Sequence, residues 1–382
     1  MEKQKICIIG GGLAGITTAV CLSKLNVNID LITNSNFNTK SNRTTAISQS
    51  NYEFLRKLEI TKSQENFFWS CLNMKIYSLS KNKKLNEILG IQNKNKKILY
   101  MMNNSKLIES MVKNIKKNKL LNIKIKKISR IVSSGFLKSV KFRNIDNSRY
   151  NLIIDCTGAD SSLYQNNNNE KSFEHYYNEI SITTILKHNP IKNIIAKQIF
   201  LNDGVIAFLP ISNIKTSVIW SISKSAFDKK NTKAIIKNYA ENFVKNIKFI
   251  SKLEYKELKL SLRKKYFSNR VLFFGDALHQ IHPLAGQGFN MTLRDLYILE
   301  RVLKNKINHG LDIGTNDVLT EFANEARPKN LIYSLGIDFT KNFFSFKTKP
   351  FPMIRNEIIN RINKNTLLKE FFFNIADKGL RF

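Results

Sequence analysis

Residues 6–9 are uniformly apolar and read as a short buried strand. The run Gly10-Gly11-Gly12-Leu13-Ala14-Gly15 follows, and Leu13, Ile16, Thr17, Val20 and Cys21 then recur at helical spacing before a second strand over 28–33. Strand, glycine-rich turn, helix and strand make the opening βαβ unit of a doubly wound half. Farther on, the spacing predicts helices over 51–58, 106–117, 233–244 and 289–303, and strands over 136–142, 150–156 and 271–274. Residues 72–85 alternate and predict a hairpin, while 123–128 alternates Ile and Lys and predicts a half-buried strand. The β-patterned segments 179–186, 204–210 and 217–223 predict an antiparallel sheet in a second lobe, and the Asn-rich stretch 165–171 reads as a polar loop at the lobe boundary. Beyond 339 the chain is rich in aromatics, with Phe343, Phe344, Phe346, Phe351, Phe371, Phe372 and Phe373. They read first as core packing, and second as a functional surface that touches a bilayer, aided by Lys341, Lys347, Lys349 and Arg355.

At 382 residues the chain suits two packed lobes better than one simple core. Charge changes the picture more than size does. Lys and Arg number 62 against 29 Asp and Glu, a formal net charge of +33. Lys, Asn and Ile are over-used in helices, loops and strand ends alike, so bias of the whole composition is the first reading and a selected basic face the second. Binding of nucleic acid would rest on charge alone, with no recognition motif, and is not expected. Cys7, Cys21, Cys71 and Cys156 form no C-x-x-C pair and read as reduced, buried thiols; no metal site is expected. The first residues run straight into an apolar strand, and no apolar run approaches the roughly 18 residues of a membrane span. The expectation is a bacterial cytoplasmic protein whose contact with the inner membrane, if any, is peripheral.

Two motifs carry chemistry. In Gly10-x-Gly12-x-x-Gly15 the first glycine allows a tight turn, the second lets the backbone approach a pyrophosphate and the third lets helix and strand pack closely. An acidic residue to hold a ribose is expected at the end of the second strand, where this chain has Thr33-Asn34; either can still hydrogen-bond, without charge. The second motif runs from Arg270 through Gly275-Asp276-Ala277-Leu278-His279-Gln280-Ile281-His282-Pro283 to Gly286-Gln287-Gly288-Phe289-Asn290. A buried strand delivers Asp276 where it can accept hydrogen bonds from ribityl hydroxyls, and Gly286 to Gly288 leave bare N–H groups at the start of the next helix, suited to negative charge on a reduced flavin. His279 and His282 lie three apart and are too few for a metal site; hydrogen bonding that shapes the turn is the first expectation for them, acid–base catalysis the second. His175, His188 and His309 have no motif around them and read as surface residues.

This second segment resembles the second FAD motif of class A FAD-dependent aromatic hydroxylases, and among them most resembles the ubiquinone-biosynthesis hydroxylases, through GDAxHxxHPxxGQGxN and the following Leu293-Arg294-Asp295. The likeness extends over most of the chain. Ser41 to Ile47, with Arg43, is similar to the family's arginine loop; residues 207–210 and 218–221 are similar to paired strands of its substrate lobe; 322–330, with Arg327, is similar to its late helix. A third family motif is altered: in 155–164, Gly158 and Ser161 fit, Thr157 stands for the expected acid and Tyr164 for the expected Arg, with Asp155 or Asp160 as substitutes for the acid.

The resemblance implies an α/β fold in which a Rossmann-like FAD-binding lobe is interrupted by an α+β substrate lobe with an antiparallel sheet. The corresponding division is FAD lobe 1–71, substrate hairpin 72–97, FAD lobe 98–165, substrate lobe 166–264, FAD lobe 265–340 and an aromatic-rich helical tail 341–382. It implies FAD as cofactor, with NAD(P)H as reductant, and hydroxylation of a polyprenyl phenol by O2 through a flavin C4a-hydroperoxide, in ubiquinone biosynthesis and within a quinone-biosynthesis assembly. The cofactor residues it points to are Gly10, Gly12, Leu13, Ala14, Gly15, Thr33, Asn34, Arg43, Gly275, Asp276, Gly286, Gln287, Gly288 and Asn290; Pro283, Gln287 and His279 are the catalytic candidates. Two other expectations stay open: a flavin hydroxylase or reductase with another substrate, and a non-catalytic scaffold, for which Thr33, Thr157 and Tyr164 speak.

Overall fold

The structure is a computed structural model and describes residues 3–37, 43–60, 67–79, 84–92, 97–115, 118–142, 147–158, 172–283, 286–345 and the single positions 357, 358, 361 and 365. The predicted loop 165–171, Ser41, Asn42, Asp160, Ser161, Tyr164, Phe346, Phe351, Phe371, Phe372, Phe373, Lys347, Lys349 and Arg355 lie outside the described residues.

Strand β1 (Lys5–Ile9) lies between β2 (Asn28–Thr33) and β12 (Leu152–Asp155), parallel to both. β8 (Leu121–Ile125) and β20 (Val271–Phe273) extend this parallel sheet, and β19 (Phe267–Ser268) ends it antiparallel. Its strands are apolar on both faces because both are covered. Ile6, Ile8, Leu31 and Ile154 pack in the cluster that holds the helices α1 (Leu13–Leu22), α3 (Asn104–Ile115) and α5 (Gly288–Asn308). Cys7, Ile9, Ile32 and Ile153 pack on the other face against Val140 and Phe142 of β10 (Leu137–Phe142).

The larger sheet runs β21 (His279–Gln280), β18 (Glu254–Arg263), β13 (Ser172–Lys187), β16 (Lys215–Ser223), β15 (Gly204–Ser212), β14 (Ile195–Phe200), β5 (Asn73–Leu79) and β6 (Leu85–Gln92). Its neighbours are antiparallel except for the parallel pair β14 and β5. Helix α4 (Thr232–Glu241) buries Ile236 and Ala240 on one face with Ile182, Phe208 and Trp220. Strand β20 belongs to the first sheet and β21 to the second, so residues 274–278 carry the chain between them beside the cleft. A small sheet of β3 (Thr44–Ser48), β7 (Leu99–Asn103) and β4 (Phe68–Cys71) bridges the lobes through Ala46, Cys71 and Met101, which pack with Ala207 and Leu209. Helix α6 (Asn316–Ser345) packs along α5 and contains Pro328.

Several local expectations need correction. The hairpin is longer than 72–85, its second arm ending at Gln92. The strand predicted over 123–128 ends at Ile125, and Ile128 opens β9 (Ile128–Ser134). Ile125 is 52% exposed, while Lys124 turns to the buried Asp30 at 3.2 Å; one buried carboxylate overrides the apolar alternation. His188 is buried, not superficial: its Nε2 meets Thr216 Oγ1 at 3.0 Å and its Nδ1 meets Asn189 O at 2.8 Å. Lys341 is also withdrawn from the surface, in an ion pair with Glu179. The four cysteines are free and buried, and burial pushes the Cys71 thiol up to about 12.

Candidate active site

A cleft of about 570 Å³ opens between the two large sheets. One wall is the turn after β1 with the start of α1, one is the start of α5, and the third is the face of the second sheet presenting Ser181, Thr183, Ser217 and Ile219. Of the residues singled out from the sequence, Gly10, Gly12, Leu13, Ala14, Arg43, Asp276, His279, Pro283, Gly286 and Gly288 line it. Gly15, Thr33, Asn34, Gly275, Gln287 and Asn290 do not.

The glycine turn divides into two jobs. A Cβ at Gly15 would stand 2.0 Å from the Gly10 carbonyl oxygen, so only glycine lets α1 start this close to β1. A Cβ at Gly12 would meet nothing within 4 Å, so this backbone faces open space. Gly12 is also the N-cap of α1, with no side chain capping it and no acid in the first turn. The N–H groups of that turn are therefore available to an anion, with the positive end of the helix dipole behind them. The start of α5 repeats the device: Gln287 is its N-cap without a side-chain cap bond, and Gly288 faces open space. Two uncapped helix starts and a bare glycine backbone fit a dinucleotide whose diphosphate rests on one and whose ring rests on the other.

The remaining candidates serve the walls. Thr33 packs its hydroxyl against Gly11 and donates to Ser35 O at 2.9 Å. Asp30 points away from the cleft, to Tyr150 Oη at 2.8 Å and Lys5 Nζ at 3.0 Å. Asp155 accepts from both N and Oγ1 of Thr157, at 2.9 and 2.6 Å, so its carboxylate caps the chain at 155–157. Gln287 Oε1 accepts from Tyr333 Oη, and Asn290 ties α5 to β3 and the neighbouring Asn51. Arg43, at the cleft mouth, pairs with Glu254 at 3.1 Å.

His279 is 3% exposed, and its Nε2 lies 2.7 Å from Asp295 Oδ2. Asp295 also accepts from Asn330 Nδ2 at 3.0 and 3.1 Å. An acceptor there places a proton on Nε2, and the second ring nitrogen is Nδ1. Among the described residues that Nδ1 has no hydrogen-bond partner. The hydroxyl wall escaped the motif reading, yet its signal was in the chain: along β13 the alternation of Ser181 and Thr183 with buried Ile182 sets a polar face over the cleft.

Residues 139–328 match the FAD binding domain. The chain is 28% identical over 247 residues to the ubiquinone biosynthesis monooxygenase COQ6 of Danio rerio, covering 53% of this chain and 50% of that one. It is 27% identical over 266 residues to the COQ6 of Homo sapiens, covering 59% and 57%, and 26% identical over 206 residues to the ubiquinone hydroxylase UbiL of Rhodospirillum rubrum, covering 52% and 48%. The chain thus spans about half the length of the curated relatives it matches. In structure it is similar to p-nitrophenol 4-monooxygenase PnpA of Pseudomonas putida, with a TM-score of 0.83 at 14% identity over 100% of both chains. It is also similar to the flavin-dependent brominase Bmp2, with a TM-score of 0.73 at 13% identity over 99% of both. These two likenesses show the fold, which serves more than one chemistry. The match to the FAD binding domain covers just under half of the chain, and the fold is one that p-nitrophenol 4-monooxygenase PnpA and brominase Bmp2 share.

Proposed function

We propose that this chain is a FAD-dependent monooxygenase that hydroxylates the aromatic ring of a polyprenylated phenol in ubiquinone biosynthesis. The observation that carries the proposal is the cleft, which sets two uncapped helix starts opposite a hydroxyl-lined sheet face. Relatives named for ubiquinone hydroxylation supply the substrate class. FAD, when bound, would carry two electrons from NAD(P)H to dioxygen, which supplies one oxygen atom to the ring and leaves the other as water.

The chain's own residues bind, orient and exclude. The first turn of α1 holds the diphosphate through bare N–H groups, and Asp276 accepts from the ribityl hydroxyls. Gly288 offers its N–H group to negative charge on the ring, whereas the Gly286 N–H, expected to be bare, is donated to the Pro283 carbonyl at 3.0 Å because the turn closes on itself there. Pro283 walls the cleft, and Ser181, Thr183 and Ser217 offer hydroxyls to the phenol oxygen. His279 holds its proton at Nε2 against Asp295 and so fixes the strand that leads to Pro283. An isoprenoid tail has to be drawn from a bilayer, so peripheral membrane contact and a quinone-biosynthesis assembly belong to the same proposal. Leu331, Leu335 and Phe339, spaced i, i+4 and i+8 on α6 and 49%, 55% and 68% exposed, support an apolar contact surface.

The test is turnover of a short-chain polyprenyl phenol with NAD(P)H under isotopically labelled dioxygen. One labelled oxygen in the recovered ring is the expected result. Oxidation of NAD(P)H with no oxygenated product would contradict the proposal and point to a flavin reductase.

A further inference from the structure

Strand β13 carries a bulge where its register against β18 shifts between Tyr176 and Glu179. Asn178 within it is left-handed, with φ of 53°, a conformation that Asn tolerates better than most residues. Bulges of this kind re-aim side chains. Here Tyr177 Oη donates to Asp338 Oδ1 of α6. Glu179 Oε1 lies 2.5 Å from Lys341 Nζ, one helical turn farther on, and Glu179 Oε2 lies 2.9 Å from His282 Nε2. The ring of Tyr177 completes the group, 4.3 Å beneath the Lys341 ammonium and edge-on to His282 at 5.1 Å. His282 is 1% exposed, and Glu179 and Lys341 are each 12% exposed.

Charges this buried are tolerated only when each has its partner, so the arrangement admits few alternatives. His282 is next to Pro283, and both Ile281 and Pro283 line the cleft. The binding chemistry of the cleft has no use for Lys341 or Asp338, which come from the far end of the last long helix. We propose that Asp338 and Lys341, acting through Tyr177 and Glu179, are positioning residues that clasp residues 281–283 and thereby set the cleft wall against which the flavin rests. The identity of the group at that wall rests on the proposed function; the clasp does not.

The charges facing His282 are Glu179, with Tyr177 beside it, on β13, and Asp338 and Lys341 on α6. Burial lowers the His282 pKa and Lys341 lowers it further, while Glu179 and Asp338 raise it; the balance lies below the usual histidine value. Burial would raise the Glu179 carboxyl, but His282 and Lys341 override it and hold it below its usual range. His282 is therefore neutral near neutrality and donates from Nε2 to a charged Glu179.

The experiment uses the full chain with Lys341→Met, Lys341→Arg and Asp338→Asn. The His282 ring is followed by proton NMR across pH, its resonance assigned by its loss in His282→Asn, and FAD binding is followed by quenching of flavin fluorescence. Lys341→Met is expected to raise the His282 midpoint and to weaken FAD binding about tenfold, a loss of about 1.4 kcal/mol. Lys341→Arg restores both, and Asp338→Asn moves the midpoint in the opposite direction, downward. A midpoint unmoved by Lys341→Met, or moved the same way by both charge removals, overturns the clasp. So does unchanged FAD binding in Lys341→Met beside a wild type that binds FAD. If the wild type takes up no FAD, the functional reading falls, and the two midpoint shifts alone decide the clasp.

Discussion

The Asn290 side chain donates to the Ala46 carbonyl at 2.8 Å, joining the first turn of α5 to strand β3 across 244 residues of sequence. Its Oδ1 accepts from Ser48 N and from Asn51 Nδ2, both at 2.9 Å, and the side chain is fully buried. Strand β3 begins beside Arg43 at the cleft mouth, so one amide locks the helix start that lines the cleft to the arm that carries the arginine.

Replacing Asn290 by Leu strands the Ala46 carbonyl and the Ser48 amide. Each buried orphan costs about 1–3 kcal/mol, so a loss of about 2–6 kcal/mol is expected. Urea unfolding measures it. Unchanged stability with weaker FAD binding alone would mean that Asn290 serves the cofactor directly, as its place in the motif first suggests.

Gly12→Ala and Gly15→Ala separate binding from folding. The Gly12 φ and ψ of −80° and 178° suit alanine, and the added methyl meets no protein atom within 4 Å. Its thermal midpoint should stay within a few degrees of wild type while FAD affinity falls at least about tenfold, or about 1.4 kcal/mol, because the methyl enters the space for the diphosphate. At Gly15 the methyl would stand 2.0 Å from a backbone oxygen, so the midpoint itself should fall. Equal FAD affinity in Gly12→Ala and wild type would contradict the placement of the diphosphate.

Asp30 predicts a pH dependence. Burial alone would raise its pKa, but Tyr150, Lys5 and Lys124 outweigh burial and hold it below the usual carboxylate value. A depressed folded-state pKa contributes stability above the unfolded value of about 3.9, and that contribution is lost as pH falls through the lower folded value. Asp30→Asn should therefore be less stable by about 1.5–3 kcal/mol at pH 7, with the gap closing below about pH 4. A gap that persists undiminished in acid would show that packing, not charge, is responsible.

Much of the fold was legible because local pattern and environment agree. Strand β2 occupies 28–33 as the βαβ opening predicts, and β20 delivers Gly275 and Asp276 beside the cleft as the second motif predicts. Other features depended on partners far away in sequence. The pair of Arg43 and Glu254 spans 211 residues, and His282 meets Glu179 across 103. No periodicity in either segment encodes such a meeting. Lys341 groups with Lys347, Lys349 and Arg355 in the second, surface reading of the aromatic tail, whereas a bulge in β13 turns Glu179 toward it. Asn290 sat in a cofactor motif, and nothing local indicated that its side chain would bond the backbone of β3 and the Asn51 amide.

The central claim is tested most directly by the absorbance spectrum of the purified chain, with the released cofactor identified by chromatography. Near-stoichiometric FAD, or its uptake by the apoprotein, is the result expected from the cleft. A colourless protein that fails to take up added FAD would contradict the enzyme reading and move the scaffold reading ahead of it.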